Sequence, residues 1–308
     1  MEIGLKLRQA MLINGMLFNS EAWHSISEPE IRILEMVDEH LLRSMVEGHS
    51  KTPLEFLYLE AGALPIRFII TSRRVIYLQS ILKRPEDELV RRVYFAQKEN
   101  PVNGDFVKLI QADFDLLGAK FTENEVISMS KEALKTEVKK MAYAAAFKYL
   151  TNKQQQHSKV HGVKYKKLQT QAYILSPLFK NTEVNLLHAL RSRMINVKAN
   201  FSSKYPLGLL CPVCESAVDE QQHILECDDL ISQLKSDEIA VEKSEYKDLF
   251  ENEQKQKRIT NLFERLLKIR NSLVDENLVK KTNPSITAQM LKNSDNLHKC
   301  IVHYTLGK

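Results

Sequence analysis

The chain has 308 residues, 44% hydrophobic and 27% charged, with nine Gly, nine Pro and a formal net charge of +5. That is ordinary globular composition with a helical lean, long enough for two domains, and it excludes collagen-like and low-complexity polymers. No stretch approaches the roughly 18 uninterrupted apolar residues of a membrane span. Met1-Glu-Ile-Gly-Leu-Lys lacks the basic-then-apolar order of a signal peptide, so an intracellular protein of nucleus or cytoplasm, with no membrane partner, is expected.

Helical signals follow one another along the chain. Residues 5–20 are apolar at helical spacing. Ser27 followed by Pro29 and Glu30 predicts a helix start, with Ser27 as cap and Glu30 reaching back to it. Ile31, Leu34, Val37, Leu41 and Met45 then form an expected buried stripe, ended by Gly48. Thr52-Pro53-Leu-Glu55 repeats the start signal, and Gly62 closes that helix. Pro65 opens another, well-buried helix through about Arg84, on which Arg67 and Arg74 share one face. Amphipathic segments follow at about 86–99, 105–118 and 122–150, the last with Leu134, Val138, Met141, Ala145 and Tyr149 as its stripe. Lys131, Lys135 and Lys139 stack four apart beside that stripe. Like charges at this spacing cost a few tenths of a kcal/mol per pair, which either a bound phosphate backbone or plain solvation can offset. Thr151 to Thr170 is lysine-rich and polar and reads as a flexible linker or basic arm. No alternating strand runs occur, so the expected class is all-α.

Cys211-Pro-Val-Cys214, His223 and Cys227 form the one constellation with metal-ligand spacing, and it uses three of the four cysteines. Two cysteines separated by two residues make a turn that aims both thiolates at one point. A His and a Cys four apart can close a tetrahedron, and zinc accepts this mixed sulfur and nitrogen set. Binding can supply on the order of 10 kcal/mol of folding free energy. The reading is a CCHC zinc knuckle in a reducing compartment. No Lys or Arg lies between Cys211 and Cys227, so the knuckle is either a structural clasp or a nucleic-acid contact assisted by Lys204 and Tyr205 upstream. The remaining cysteine, Cys300, stands between His298 and His303 and reads as a lone thiol.

Charge is segregated. Lys139 to Gly208 carries 13 Lys and Arg against one acid, Glu183, whereas Cys211 to Glu253 carries 13 acids against three lysines. The first block is a candidate phosphate-binding surface, and the alternative is that the two blocks pair internally; the adjacent knuckle favours a nucleic-acid partner.

Several of these residues, in order, resemble a known family. Leu7-Arg8-Gln-Ala-Met-Leu-Ile-Asn14-Gly15, Ser20-Glu21-Ala-Trp23 and Leu34-Glu35-x-x-Asp38-x-x-Leu41-Leu42-Arg43 look like non-LTR (LINE-like) retrotransposon reverse transcriptases just past the catalytic palm. His49-Ser50-Lys51-Thr52-Pro53-x-Glu55-Phe56-x-Tyr58-x-Glu60-x-Gly62, Pro65-Ile-Arg67 and Arg73-Arg74-x-x-Tyr77-Leu78 continue the likeness, and the Cys/His motif fits it. The resemblance implies a thumb-like helical domain over 1–125, a basic helical connector over 126–208, the zinc knuckle at 209–230 and an acidic-to-mixed helical tail over 231–308. It implies RNA or DNA as partner, together with the polymerase remainder of the same element. The candidate backbone contacts are Arg67, Arg73 and Arg74, with Lys135, Lys139, Lys164, Lys166, Lys167, Arg191 and Arg193 from the basic connector. Arg67, Arg73 and Arg74 have an alternative, pairing with core carboxylates such as Glu55 or Glu60.

Catalytic signatures are missing. A polymerase holds metal ions on a Tyr/Phe-x-Asp-Asp hairpin, and the only Asp-Asp here, Asp228-Asp229, follows Glu226-Cys227 in an expected helix. Glu245-Tyr-Lys247 and Glu253-Gln-Lys255 match half of a restriction-like nuclease motif without the upstream Pro-Asp. The expectation is therefore a non-catalytic nucleic-acid binder or, alternatively, a zinc-clasped scaffold protein.

Overall fold

The computed structural model describes residues 2–23, 26–160, 162–205, 208–234 and 246–281, with backbone alone at Glu2 and at 275–281. The chain divides into two compact units, Met1–Met194 and Ile195–Lys308. Among the described residues there are helices, turns and two isolated β-bridges, and no strand. No described helix is long and apolar enough to cross a membrane.

In the first unit, α1 (Glu2–Leu7) runs through a π-helical turn (Arg8–Ile13) into the short α2 (Asn14–Met16). Helix α3 (Glu28–Met45) opens on the expected capping box. Ser27 Oγ accepts the Glu30 N–H, and Glu30 accepts the Ser27 N–H at 2.7 Å, so two orphan donors are satisfied reciprocally. Helix α4 (Leu54–Ala61) departs from the expected start: Pro53 is its N-cap, and the buried Thr52 Oγ1 has no hydrogen-bond partner among the described residues. Gly62 closes it at φ 62°, a left-handed conformation that favours glycine. Helices α5 (Ile66–Leu82), α6 (Leu89–Glu99) and α7 (Phe106–Leu117) follow. The segment expected as one helix over 122–150 is two. Thr122 and Glu125 box the start of α8 (Glu123–Ser128), and Ser130, in extended conformation, restarts the chain as α9 (Lys131–Gln154) by accepting the Ala133 N–H.

Helix α5 is the centre of this unit and packs against both α9 and α7. It buries Phe68, Ile70, Val75 and Leu78. Helix α9 answers with Leu134, Val138, Ala142, Ala146 and Leu150, all essentially inaccessible, at four-residue spacing. Helix α3 corrects the expected stripe. It buries Glu35, Asp38 and Leu42, while Val37 is 46% exposed and its neighbours Ile33 and Met36 are more so. Ion pairing, described below, is what holds those two carboxylates inside.

The stretch expected as a flexible arm is packed. The Gln154 side-chain amide donates to the carbonyls of Val160 and Val163 at 2.5 and 2.9 Å, and Val160, Val163 and Leu168 are buried. Thr170 bridges to Ala61 through backbone and hydroxyl. Helices α10 (Ala172–Leu175) and α11 (Asn181–Arg191) complete the unit. The expected boundary at 125 thus falls inside a continuous core, because α9 is one of its walls; the compact division lies at 194/195 rather than 208.

The second unit holds a 3₁₀ stretch (Lys198–Lys204), the Cys/His segment, α12 (Asp228–Ile231), a 3₁₀ turn (Tyr246–Phe250) and α13 (Glu253–Lys281). Helix α13 buries Ile259, Phe263 and Leu266 and packs on α12 and on the turn His223–Leu225. Part of the expected tail is therefore the core of the knuckle's own unit.

Candidate metal centre and basic groove

Local geometry delivers the four knuckle ligands. Leu210 pairs with Val218, the Cys211 N–H donates to the Ala217 carbonyl at 2.7 Å, and Glu215 turns the chain at φ 52°. That hairpin-like turn presents Cys211 and Cys214. His223 begins a 3₁₀ turn, and Cys227 is the N-cap of α12. The ligand atoms all lie within 4.8 Å of one another, with Cys214 Sγ 3.3 Å from His223 Nε2. Ligands of a tetrahedral zinc stand about 3.5–3.8 Å apart, so this cluster can hold a metal ion after small adjustment. Without an ion, burial raises Cys211 and Cys227, the latter to about 11. Burial acts the same way on Cys214, but hydrogen bonds to Ser216, Ala217 and His223 outweigh it and bring that thiol to about 6. A thiolate is the metal-ligating form, so one ligand is already poised for binding.

Sequence reasoning missed the buttress behind this cluster. Asp219, fully buried, accepts the Lys198 N–H at 2.8 Å and Arg270 Nη2 at 2.7 Å, tying the segment to α13. No local pattern marks it, since its partners stand 21 and 51 residues away. Beside the ligands, Ile224 is buried and Leu210 is exposed.

The arginines fall into distinct environments. Arg74 donates twice to Asp113 at 2.6 Å, and both side chains are buried. Arg191 is held by Glu60, whose carboxylate also accepts Tyr165 and Tyr173 hydroxyls at 2.5 and 2.7 Å. Buried pairs of this kind cannot reach a phosphate backbone without being broken. These two expected contacts are therefore internal ties; the expected core partner Glu60 belongs to Arg191 and not to Arg67 or Arg74. Arg67 is half-buried between Glu35 and Glu28, in a cleft of mixed charge also lined by Glu39 and Glu55. A fourth buried pair, unforeseen, joins Arg8 to Asp38 at 2.5 Å, with the Tyr58 hydroxyl donating to the same carboxylate.

Arg73, Lys135 and Lys139 are brought together. They line one groove of about 510 Å³ between the N-terminal helix, α5 and α9, and no carboxylate lines it. Arg73 donates to the Leu17 carbonyl, to Ser20 Oγ and to Asn14 Oδ1, all neutral. Among the described residues none of these three cations is in an ion pair, so their charge is available to an anion. Tyr143, Gly62 and Thr170 also line the groove, and no sequence motif marks them as site residues. Gly62 could be found only as a helix end: a Cβ there would stand 1.9 Å from the Thr170 nitrogen, the closeness that closes the groove. Lys164, Lys166, Lys167 and Arg193 are exposed elsewhere on the first unit.

Asp228 and Asp229 open α12 as expected and form no hairpin. Lys255 of the nuclease-like triplet stands near Asp248 and Glu251 at 3.7 and 3.8 Å. Glu245, His298, Cys300 and His303 lie outside the described residues. No family model, no curated protein and no solved structure matches the chain.

Proposed function

We propose that this chain is a non-catalytic, nucleic-acid-binding part of a retroelement RNA-directed DNA polymerase, equivalent to its thumb, connector and zinc-bearing C-terminal region. The observation that carries the reading is the acid-free groove of Arg73 on α5 and Lys135 and Lys139 on α9, three cations converging with no counter-charge among the described residues that line it. Phosphate oxygens are the ligands such a site attracts, and their neutralisation releases condensed counterions. Lys164, Lys166, Lys167 and Arg193 add exposed positive charge to the same unit. Contacts of this class position a backbone and carry little sequence information, as a duplex or strand grip requires.

In this reading zinc on Cys211, Cys214, His223 and Cys227 stabilises the second unit. That segment carries no basic residue between its outer ligands, so it acts as a clasp. The polymerase remainder of the element would supply the palm, and the working place is the nucleus or cytoplasm. The test is binding of the zinc-loaded chain to labelled RNA, DNA and primer–template duplex across a salt titration. Affinity that falls steeply with salt supports the reading.

One observation favours a second reading. The acidic surroundings of the knuckle suit a zinc-clasped scaffold derived from a retroelement, and that protein would bind zinc with no salt-dependent affinity for any nucleic acid.

A further inference from the structure

We infer that the basic groove is a pocket for one unpaired nucleobase of a single strand, with its flanking phosphates on Arg73, Lys135 and Lys139. The inference rests on the nucleic-acid reading and narrows it from backbone contact to a site that a strand enters base-first.

A surface that only tracks phosphates needs cations and gains nothing from an apolar floor. Here the three cations share the lining of the groove with an apolar set, Leu5, Leu64, Ile69 and Ile76. All four are only partly covered by the fold. Covering them is favourable for a flat apolar ring and useless to a phosphate. The groove's volume of about 510 Å³ lies within the range of about 300–1,000 Å³ typical of small-ligand sites. A duplex keeps its bases stacked inside and offers such a lining only its charged backbone; an unpaired nucleotide offers both halves of the match.

A second depression, of about 470 Å³, adjoins the first over Gly62 and Thr170. The two share Lys139 and Tyr143, and neither is lined by a carboxylate. Tyr143 is half-buried at the shared wall, with Lys139 Nζ 5.9 Å from its ring centroid. An aromatic face beside a cation is the arrangement on which successive bases of a strand stack. The geometry therefore seats consecutive nucleotides on either side of Tyr143.

The test uses the full zinc-loaded chain and fluorescence anisotropy with three labelled probes: an oligothymidylate strand, the same strand with abasic central positions, and a blunt duplex. The abasic strand and the duplex are each expected to bind at least about fivefold more weakly than the intact strand. Tyr143→Leu is expected to bring the three within about twofold of one another. A strand carrying 4-thiouridine, irradiated on the wild-type chain, is expected to crosslink to the peptides around Leu64–Ile76 or Lys135–Tyr143. Equal binding of all three probes with one common salt slope overturns the pocket and leaves the phosphate grip standing. No salt-dependent binding to any probe overturns the nucleic-acid reading itself.

Discussion

Lowering the pH from 7 to 5 is expected to destabilise the first unit by about 2 kcal/mol through one side chain, His188. Its imidazole is 1% exposed and packs against Phe56 with ring centroids 5.3 Å apart. Nδ1 lies 3.5 Å from the Tyr173 hydroxyl, and Nε2 has no hydrogen-bond partner among the described residues. Burial lowers the pKa from 6.5 to about 4; Glu60 opposes the shift, and Arg191 and Arg43 reinforce it. Between pH 6.5 and 4 the unfolded chain binds a proton that the folded chain refuses. Stability is therefore whole above pH 6.5 and declines as pH falls through that window. Linkage with these two values gives about 2 kcal/mol lost by pH 5 and about 3 kcal/mol by pH 4. Trp23, the single tryptophan, lies in the first unit and reports its unfolding in urea. The comparison is wild type against His188→Leu at pH 7 and pH 5, so that carboxylates common to both cancel. The variant is expected to lose about 2 kcal/mol less than wild type over this interval. Equal losses in the two proteins would refute the argument.

Glu60→Ala leaves Arg191 buried without its carboxylate and is expected to cost the first unit about 3–5 kcal/mol in urea melts, with Glu60→Gln costing clearly less. Gly62→Ala forces a left-handed alanine, worth about 1–2 kcal/mol by itself. The methyl also meets the Thr170 backbone, so the thermal midpoint is expected to drop further than that figure alone predicts. Removing the metal with a chelator, or replacing Cys227 by Ser, is expected to reduce helical circular dichroism from α13 while the Trp23 transition keeps its midpoint. Metal analysis of the purified chain checks the same point, at one zinc per chain before treatment.

Much of the architecture was legible because it is local. Ser27 and Glu30 are three residues apart, and their reciprocal bonds follow from that spacing alone. The Cys/His cluster was equally readable, since 17 consecutive positions contain all four ligands. What could not be read depends on partners far along the chain. Asp38 on α3 is not among the apolar residues at helical spacing, yet Arg8 and Tyr58, 30 and 20 residues away, make it a core residue. With Asp38 inside, Val37 next to it is exposed. The stretch 151–170 looked unstructured from its lysines and glutamines. Its order comes from Gln154 satisfying two loop carbonyls and from Tyr165 reaching Glu60, 105 residues earlier. The same holds for the candidate contacts: Arg73 and Arg74 are neighbours in sequence, and only the fold sends one to an open groove and the other to Asp113.

A phosphate backbone held in the groove of Arg73, Lys135 and Lys139 is tested by a salt titration of strand affinity for wild type and for the Lys135→Glu, Lys139→Glu double variant. Three phosphates neutralised on a single strand give a log–log slope of about −2 from this groove alone. The wild-type slope is expected to be at least that steep, and the double variant to keep its thermal midpoint while losing about two-thirds of that contribution. Identical slopes and affinities for the two proteins would rule out the phosphate grip in this groove.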